Sequence, residues 1–212
     1  MSIKYFAPAQ RSAVLHDALI PMFTAILLCS LPITSWAQTA DSLDLKGKLL
    51  YHGDLIYSPI SLAESAAYAG LRQARNQPAE WGHGGAAYGK RLGSALGYSA
   101  VRETLAFGLD ATLYQDPRYF RSGGHGVWNR TGRALRGTIL TRTDKGGETL
   151  STWRIGSAYG AAYLSNQWYP DRLNTVGLCV KQGSLQLGFD FARNLSREFW
   201  PDVKQKLLHR KP

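Results

Sequence analysis

The stretch Gly85-Ala86-Ala87-Tyr88-Gly89-Lys90-Arg91-Leu92-Gly93-Ser94-Ala95-Leu96-Gly97 places a glycine at every fourth residue, and Val101, Leu105, Leu109 and Leu113 carry the interval onward. Four residues is close to one α-helical turn, so these positions stack on one face as a smooth groove that becomes an aliphatic ridge. The span from Ala79 to Gln115 contains no proline to interrupt it. Glycine costs about 1 kcal/mol relative to alanine inside a helix, so a row of four requires a compensating close contact. The expectation is that another segment's main chain lies in the groove. The fold class that follows is all-α, a compact helical bundle with glycine-lined packing.

The same spacing recurs. Gly156 and Gly160 lie four apart in Leu150 to Trp168, and Ser184, Gly188, Ala192 and Ser196 form a third small-residue row. Arg91 to Gly97 and Arg154 to Gly160 are near copies, which suggests two related hairpins. Ser58-Pro59 supplies an N-cap and a first-turn proline for a helix over Ile60 to Arg75, which Asn76 and Pro78 stop. Aromatic residues precede Pro117, Pro170 and Pro201, which read as corners of the bundle. A short helix is expected over Trp128 to Arg142, with Trp128, Leu135 and Ile139 turned inward. The alternative is a small antiparallel β-barrel, suggested by the Gly and Tyr content and by Leu185, Leu187, Phe189 and Phe191, but four-residue spacing fits strands badly.

Residues 1–37 read as a secretory signal peptide: Lys4 and Arg11, an apolar run from Ala18 to Trp36, then Ser35-Trp36-Ala37 as a small-x-small cleavage site. An uncleaved anchor is the alternative. Residues 38–57 are expected to be an extended lead-in broken by Gly47 and Gly53, residues 58–203 the helical domain, and residues 204–212 a basic, mobile tail. After cleavage Cys179 is the remaining cysteine, so an internal disulfide and a multi-cysteine zinc site are excluded. The 212 residues carry a formal charge of +10. That balance points to an anionic partner.

Motifs for chemistry are sparse. Gly84 to Lys90 has phosphate-loop spacing, but Arg91 stands where a magnesium-binding Ser or Thr is needed. His52, His83, His125 and His209 are scattered and expected at caps or in solvent, so no metal and no cofactor is expected. Glu103 and Asp110 share a helix face roughly 10 Å apart, too far to share a proton directly. With Asp190, Arg193, Asn194 and Glu198 on the last helix they are the candidate catalytic groups. The competing reading makes them interhelical ion pairs and hydrogen bonds that hold register.

Six arginines, Arg118, Arg121, Arg130, Arg133, Arg136 and Arg142, lie between Pro117 and Thr143 with no acid and no lysine among them. Guanidinium forks suit phosphate and carboxylate, and Tyr119, Phe120 and Trp128 suit a headgroup boundary. Pairing with Asp116, Asp144, Asp171 or Asp202 at bundle corners is the equal alternative.

Several segments resemble a family of exported bacterial proteins: Glu80-Trp81-Gly82, Tyr88-Gly89-Lys90-Arg91, Asp116-Pro117-Arg118-Tyr119-Phe120, Arg142-Thr143-Asp144, Trp168-Tyr169-Pro170-Asp171-Arg172 and Arg197-Glu198-Phe199-Trp200-Pro201-Asp202. The resemblance spans about residues 79–203 and implies the domain limits without implying an activity.

The functional expectation is an exported protein, periplasmic or outer-membrane associated. Its arginine face would contact anionic lipid headgroups or an acidic envelope polymer rather than nucleic acid. The alternative is a hydrolase or transferase acting on a phosphate-containing lipid or polymer through the Glu/Asp cluster. Homo-oligomerisation through Gly85, Gly89, Gly93 and Gly97 is a third possibility, with Gly156 and Gly160 as further packing positions.

Overall fold

The row of glycines is helical: Gly85–Thr112 is a single α-helix of 28 residues. The computed structural model describes residues 41–121, 123 and 126–208. The expected signal peptide and its cleavage site lie outside them. The order is α1 Leu45–Tyr57, α2 Pro59–Ala74, α3 Gly85–Thr112, α4 Val127–Ile139, β1 Leu140–Arg142, β2 Glu148–Leu150, α5 Thr152–Ser165 and α6 Val176–Leu208, with single 3-10 turns at Ala79–Trp81, Asn166–Trp168 and Asp171–Leu173. The fold is all-α, and the β-barrel reading falls. The two strands form one small antiparallel hairpin, pairing Leu140 with Leu150 and Arg142 with Glu148.

The lead-in expected to be extended is instead α1. Asp44 caps it, accepting a hydrogen bond from Gly47 N at 2.7 Å. Gly47 serves that cap: a Cβ there would stand 2.9 Å from Asp44 Oδ1. Tertiary burial of Lys48, Tyr51 and His52 outweighs the low helix propensity of the two glycines. The domain therefore begins before residue 58.

α2 starts as expected, with Ser58 accepting from Ser61 N and Pro59 in the first turn. α3 packs on α1, α2 and α5, and α6 packs on α4 and α5. The α3–α5 contact sets the aliphatic ridge of one against the glycines of the other. Leu109 Cδ1 lies 2.8 Å from the position of a Cβ on Gly156, and Leu105 Cδ1 3.0 Å from one on Gly160. Glycine thus lets these helices approach closely, but a side chain fills the groove, not a main chain.

The Gly85 to Gly97 groove behaves differently. Beyond the adjoining backbone of α3 itself, no described atom lies within 4 Å of a Cβ placed at Gly85, Gly89 or Gly93, and at Gly97 the nearest is the Trp168 ring at 3.7 Å. The expectation of a main chain pressed into it is overturned among the described residues. α3 buries the neighbouring face, through Ala87, Arg91, Ser94 and Ala95.

Further boundaries shift. α4 ends at Ile139 because Leu140 to Arg142 pair as a strand. Pro201 sits inside α6 rather than at its end, and the helix runs on through Leu208 into the expected tail. Asp202, one residue beyond the proline, is tied to Arg130 of α4, which holds this part of α6 against its neighbour.

The interior is unusually polar. The largest fully buried side chains include Arg91, His52, Glu198, Asn166 and Asp110, and the buried apolar set is mainly alanine with Tyr51, Tyr119 and Trp153. The near-copy segments explain two of the buried cations. Arg91 donates from Nε to Gln77 O at 2.9 Å and from Nη2 to Pro78 O at 3.0 Å. Arg154 donates from Nη1 to Gly137 O at 2.6 Å and Thr138 O at 3.2 Å. Each arginine satisfies carbonyls of the segment before its own helix.

Candidate functional site

His52 on α1 stands between the two carboxylates of α3. Its Nδ1 lies 2.7 Å from Glu103 Oε2 and its Nε2 2.7 Å from Asp110 Oδ2. Seven residues of helix set the two acids about 10 Å apart along the axis, and the imidazole ring spans the gap. Tyr51, Phe107 and Trp153 approach the ring edge-on, with centroids at 5.4, 6.4 and 5.9 Å. The expectation that His52 caps a helix or faces solvent is overturned: it is buried.

The chain of charges continues in both directions. Glu103 Oε1 accepts from Arg102 Nη1 at 3.0 Å, and Arg102 Nη2 donates to Asp190 Oδ2 of α6 at 2.7 Å. At the other end Lys48 Nζ donates to Asp110 O at 3.1 Å and to Asp144 Oδ2 at 2.7 Å. The hairpin positions Asp144, whose N donates to Tyr114 O at 2.8 Å.

Burial opposes charge on His52, but the hydrogen bonds and charges of Asp110 and Glu103 outweigh it and raise its pKa. Burial also opposes ionisation of Glu103, yet Arg102 and His52 hold it below the usual carboxylate range. Asp110 goes the other way, raised by burial despite His52 and Lys48. These directions favour a protonated ring facing an ionised Glu103, while burial pushes Asp110 toward its neutral acid. The acids sit on opposite sides of the ring and do not converge on one point. Among the described residues no group of three or more His, Cys, Asp or Glu side chains is arranged to hold a metal ion.

The candidate catalytic residues therefore separate. Glu103, Asp110 and Asp190 join one network through His52 and Arg102. Arg193 Nη2 instead donates to Glu64 Oε2 at 3.1 Å, and Asn194 Nδ2 to Thr138 Oγ1 at 3.1 Å. Glu198 accepts from Tyr119 OH at 2.7 Å and faces Arg130 Nε at 3.8 Å, under α4. A cavity of about 240 Å³ borders Arg102 and Glu103.

The arginines also divide. Arg118 is buried, its Nη2 on Asp116 Oδ2 at 2.7 Å. Arg130 lies over the Phe199 ring, 4.2 Å from its centroid, and pairs with Asp202. These two follow the corner-pairing alternative. Arg136 pairs with Glu148 in an exposed position, and Arg142 lies 4.7 Å over Phe120. Arg121, Arg133 and Arg142 are exposed and make no ion pair among the described residues.

Trp128, Leu135 and Ile139 point outward, opposite to expectation, with Trp128 87% exposed. The inner face of α4 carries Ala134 and Thr138. Small residues there, with Tyr119 against Gly137, let α4 lie close on α6 and leave the large apolar residues in solvent. Val127 and Leu150 are likewise exposed.

Sequence reading missed His52, Lys48 and Asp144. Lys48 and His52 are four apart on one helix face, a visible signal once α1 is recognised as helical. No protein-family model, curated protein or solved structure matches the chain. No helix among the described residues is long and apolar enough to cross a membrane.

Proposed function

We propose that this is an exported, envelope-associated protein with a structural or binding role, held on anionic lipid headgroups by the outer face of α4. The observation that carries this reading is the alignment of Trp128, Leu135 and Ile139, spaced seven and four residues apart, as one exposed apolar stripe. Arg136 flanks the stripe, and Arg133 on α4 and Arg142 on β1 add further exposed arginines. Tryptophan and leucine enter the headgroup boundary while arginines meet phosphate at the same depth. Each basic residue near an anionic surface contributes about 1 kcal/mol.

The alternative, acid–base chemistry on a phosphate-containing lipid or polymer, finds less support. Glu103, Asp110, Asp190 and Glu198 each engage a protein cation or donor already.

Co-sedimentation with vesicles of phosphatidylcholine alone and with added phosphatidylglycerol tests the membrane reading. Binding should require the anionic lipid and fall by about tenfold or more when Arg133, Arg136 and Arg142 are replaced together by Ala. Equal binding to neutral vesicles, or undiminished binding by the triple variant, overturns it.

A further inference from the structure

The cavity beside Arg102 and Glu103 lies between α2, α3 and α6. The charges on its wall already cancel. Arg102 is held by Glu103 at 3.0 Å and Asp190 at 2.7 Å, and Arg193 is held by Glu64 at 3.1 Å. An ionic ligand would compete with one of these pairs and leave a charge uncompensated in a poorly solvated place.

The neutral polar groups are not spent in the same way. The side chains of Ser65, Tyr98, Ser99 and Gln182 line the cavity and form no hydrogen bond with other described residues. Burial pushes the Tyr98 hydroxyl up to about 12, so it remains a proton donor. A purely apolar ligand would strip water from these four groups and return nothing. Around them stand Leu55, Ala95, Leu185 and Phe189, which offer apolar surface. Tyr68 and Tyr169 also border the cavity, and Arg72 lies over both rings, at 5.6 and 5.3 Å from their centroids. Trp81 stacks on Tyr169 at 5.2 Å. The aromatic border is thus braced from outside.

The ligand such a wall fits is small and uncharged, with hydroxyl or amide groups around a body that has an apolar face. Hydroxyls and a carboxamide each donate and accept, which matches the hydroxyls of a sugar, while its C–H face suits tyrosine and phenylalanine. We infer that this cavity binds a single neutral sugar unit, a hexose or N-acetylhexosamine, through Ser65, Tyr98, Ser99 and Gln182. The site is separate from α4 and does not depend on membrane attachment.

Isothermal titration calorimetry with glucose and N-acetylglucosamine, against glucose 6-phosphate and octanoate, tests the inference. At least one neutral sugar should bind saturably at one site per chain. Tyr98→Phe and Gln182→Leu, each removing hydrogen-bonding groups at nearly constant volume, should weaken that binding by about 3–10-fold. Ala95→Phe should abolish it by filling the space. Should that variant fail to fold, Tyr98→Phe and Gln182→Leu decide. Absence of saturable binding by both neutral sugars, tighter binding of glucose 6-phosphate or octanoate, or unchanged sugar affinity in both polar variants overturns the assignment.

Discussion

Leu109 of α3 occupies the space that any side chain on Gly156 of α5 would need, its Cδ1 2.8 Å from the position of a Cβ there. The same relation holds between Leu105 and Gly160, at 3.0 Å. Gly89 and Gly93, on the same helix as the two leucines, meet nothing described within 4 Å beyond the adjoining backbone of α3 itself. Gly156→Leu should therefore overpack the α3–α5 contact and cost about 1–3 kcal/mol in urea unfolding. The double variant Gly89→Leu, Gly93→Leu should hold or gain stability, because leucine is the better helix former. Equal losses at both places would refute the asymmetry. Sedimentation of the same double variant reports whether a second copy uses the open groove.

His52 bridges Glu103 and Asp110 while buried, so His52→Gln removes a cation and leaves two acids facing an uncharged group. The expected loss is about 3–5 kcal/mol. The pH dependence has a definite sign. The folded-state pKa of His52 is raised above the ordinary histidine value of 6.5, so the native state binds the extra proton in the window above 6.5. The stabilisation is full below that value and is lost as pH rises through the folded pKa. Wild-type unfolding free energy should therefore decline from neutral to alkaline pH, with a slope missing from His52→Gln. Parallel profiles for the two proteins would show that the ring is neutral in the fold.

Arg91 is 1% exposed and serves the carbonyls of Gln77 and Pro78 together with the side chains of Gln73 and Asn76. Arg91→Ala should cost about 3 kcal/mol or more, since one buried and three partly buried hydrogen bonds are lost together. Arg91→Lys should recover little, because a point ammonium cannot reproduce the planar fork. Full recovery by lysine in thermal unfolding would argue that charge, not geometry, matters there.

Trp128 stands almost wholly in solvent, so Trp128→Ala should leave unfolding free energy within about 0.5 kcal/mol of wild type. Its binding to phosphatidylglycerol vesicles should nevertheless drop several-fold. A large stability loss would place the indole in a packing role instead.

The fold was legible where spacing carries geometry. The four-residue interval of Gly85 to Gly97, the cap at Ser58-Pro59 and the corner at Pro117 are local signals, and each predicts a local result. Which side of α3 is covered is not local: it depends on Arg91, Ser94 and Arg102 finding partners on other elements, and no interval within α3 encodes them. The inversion of α4 has a similar cause. Apolar size suggested that Trp128 and Leu135 face the core, but Ala134 and Thr138 permit a closer approach to α6, and Arg130 gains carboxylates there. At the charge chain the acids were visible as a pair seven residues apart. Their link was not, because Gly47 and Gly53 hid the helix that delivers His52.

The side chains of Lys48 and His52 form their hydrogen bonds with downstream groups, at Glu103, Asp110 and the hairpin's Asp144. As the chain emerges amino terminus first, α1 precedes by some fifty to a hundred residues the groups that neutralise it. Until α3 and the hairpin arrive, its lysine and histidine remain hydrated and weigh against premature collapse. Among the described residues, the earliest helix in the chain is thus one whose docking waits for later elements of the bundle.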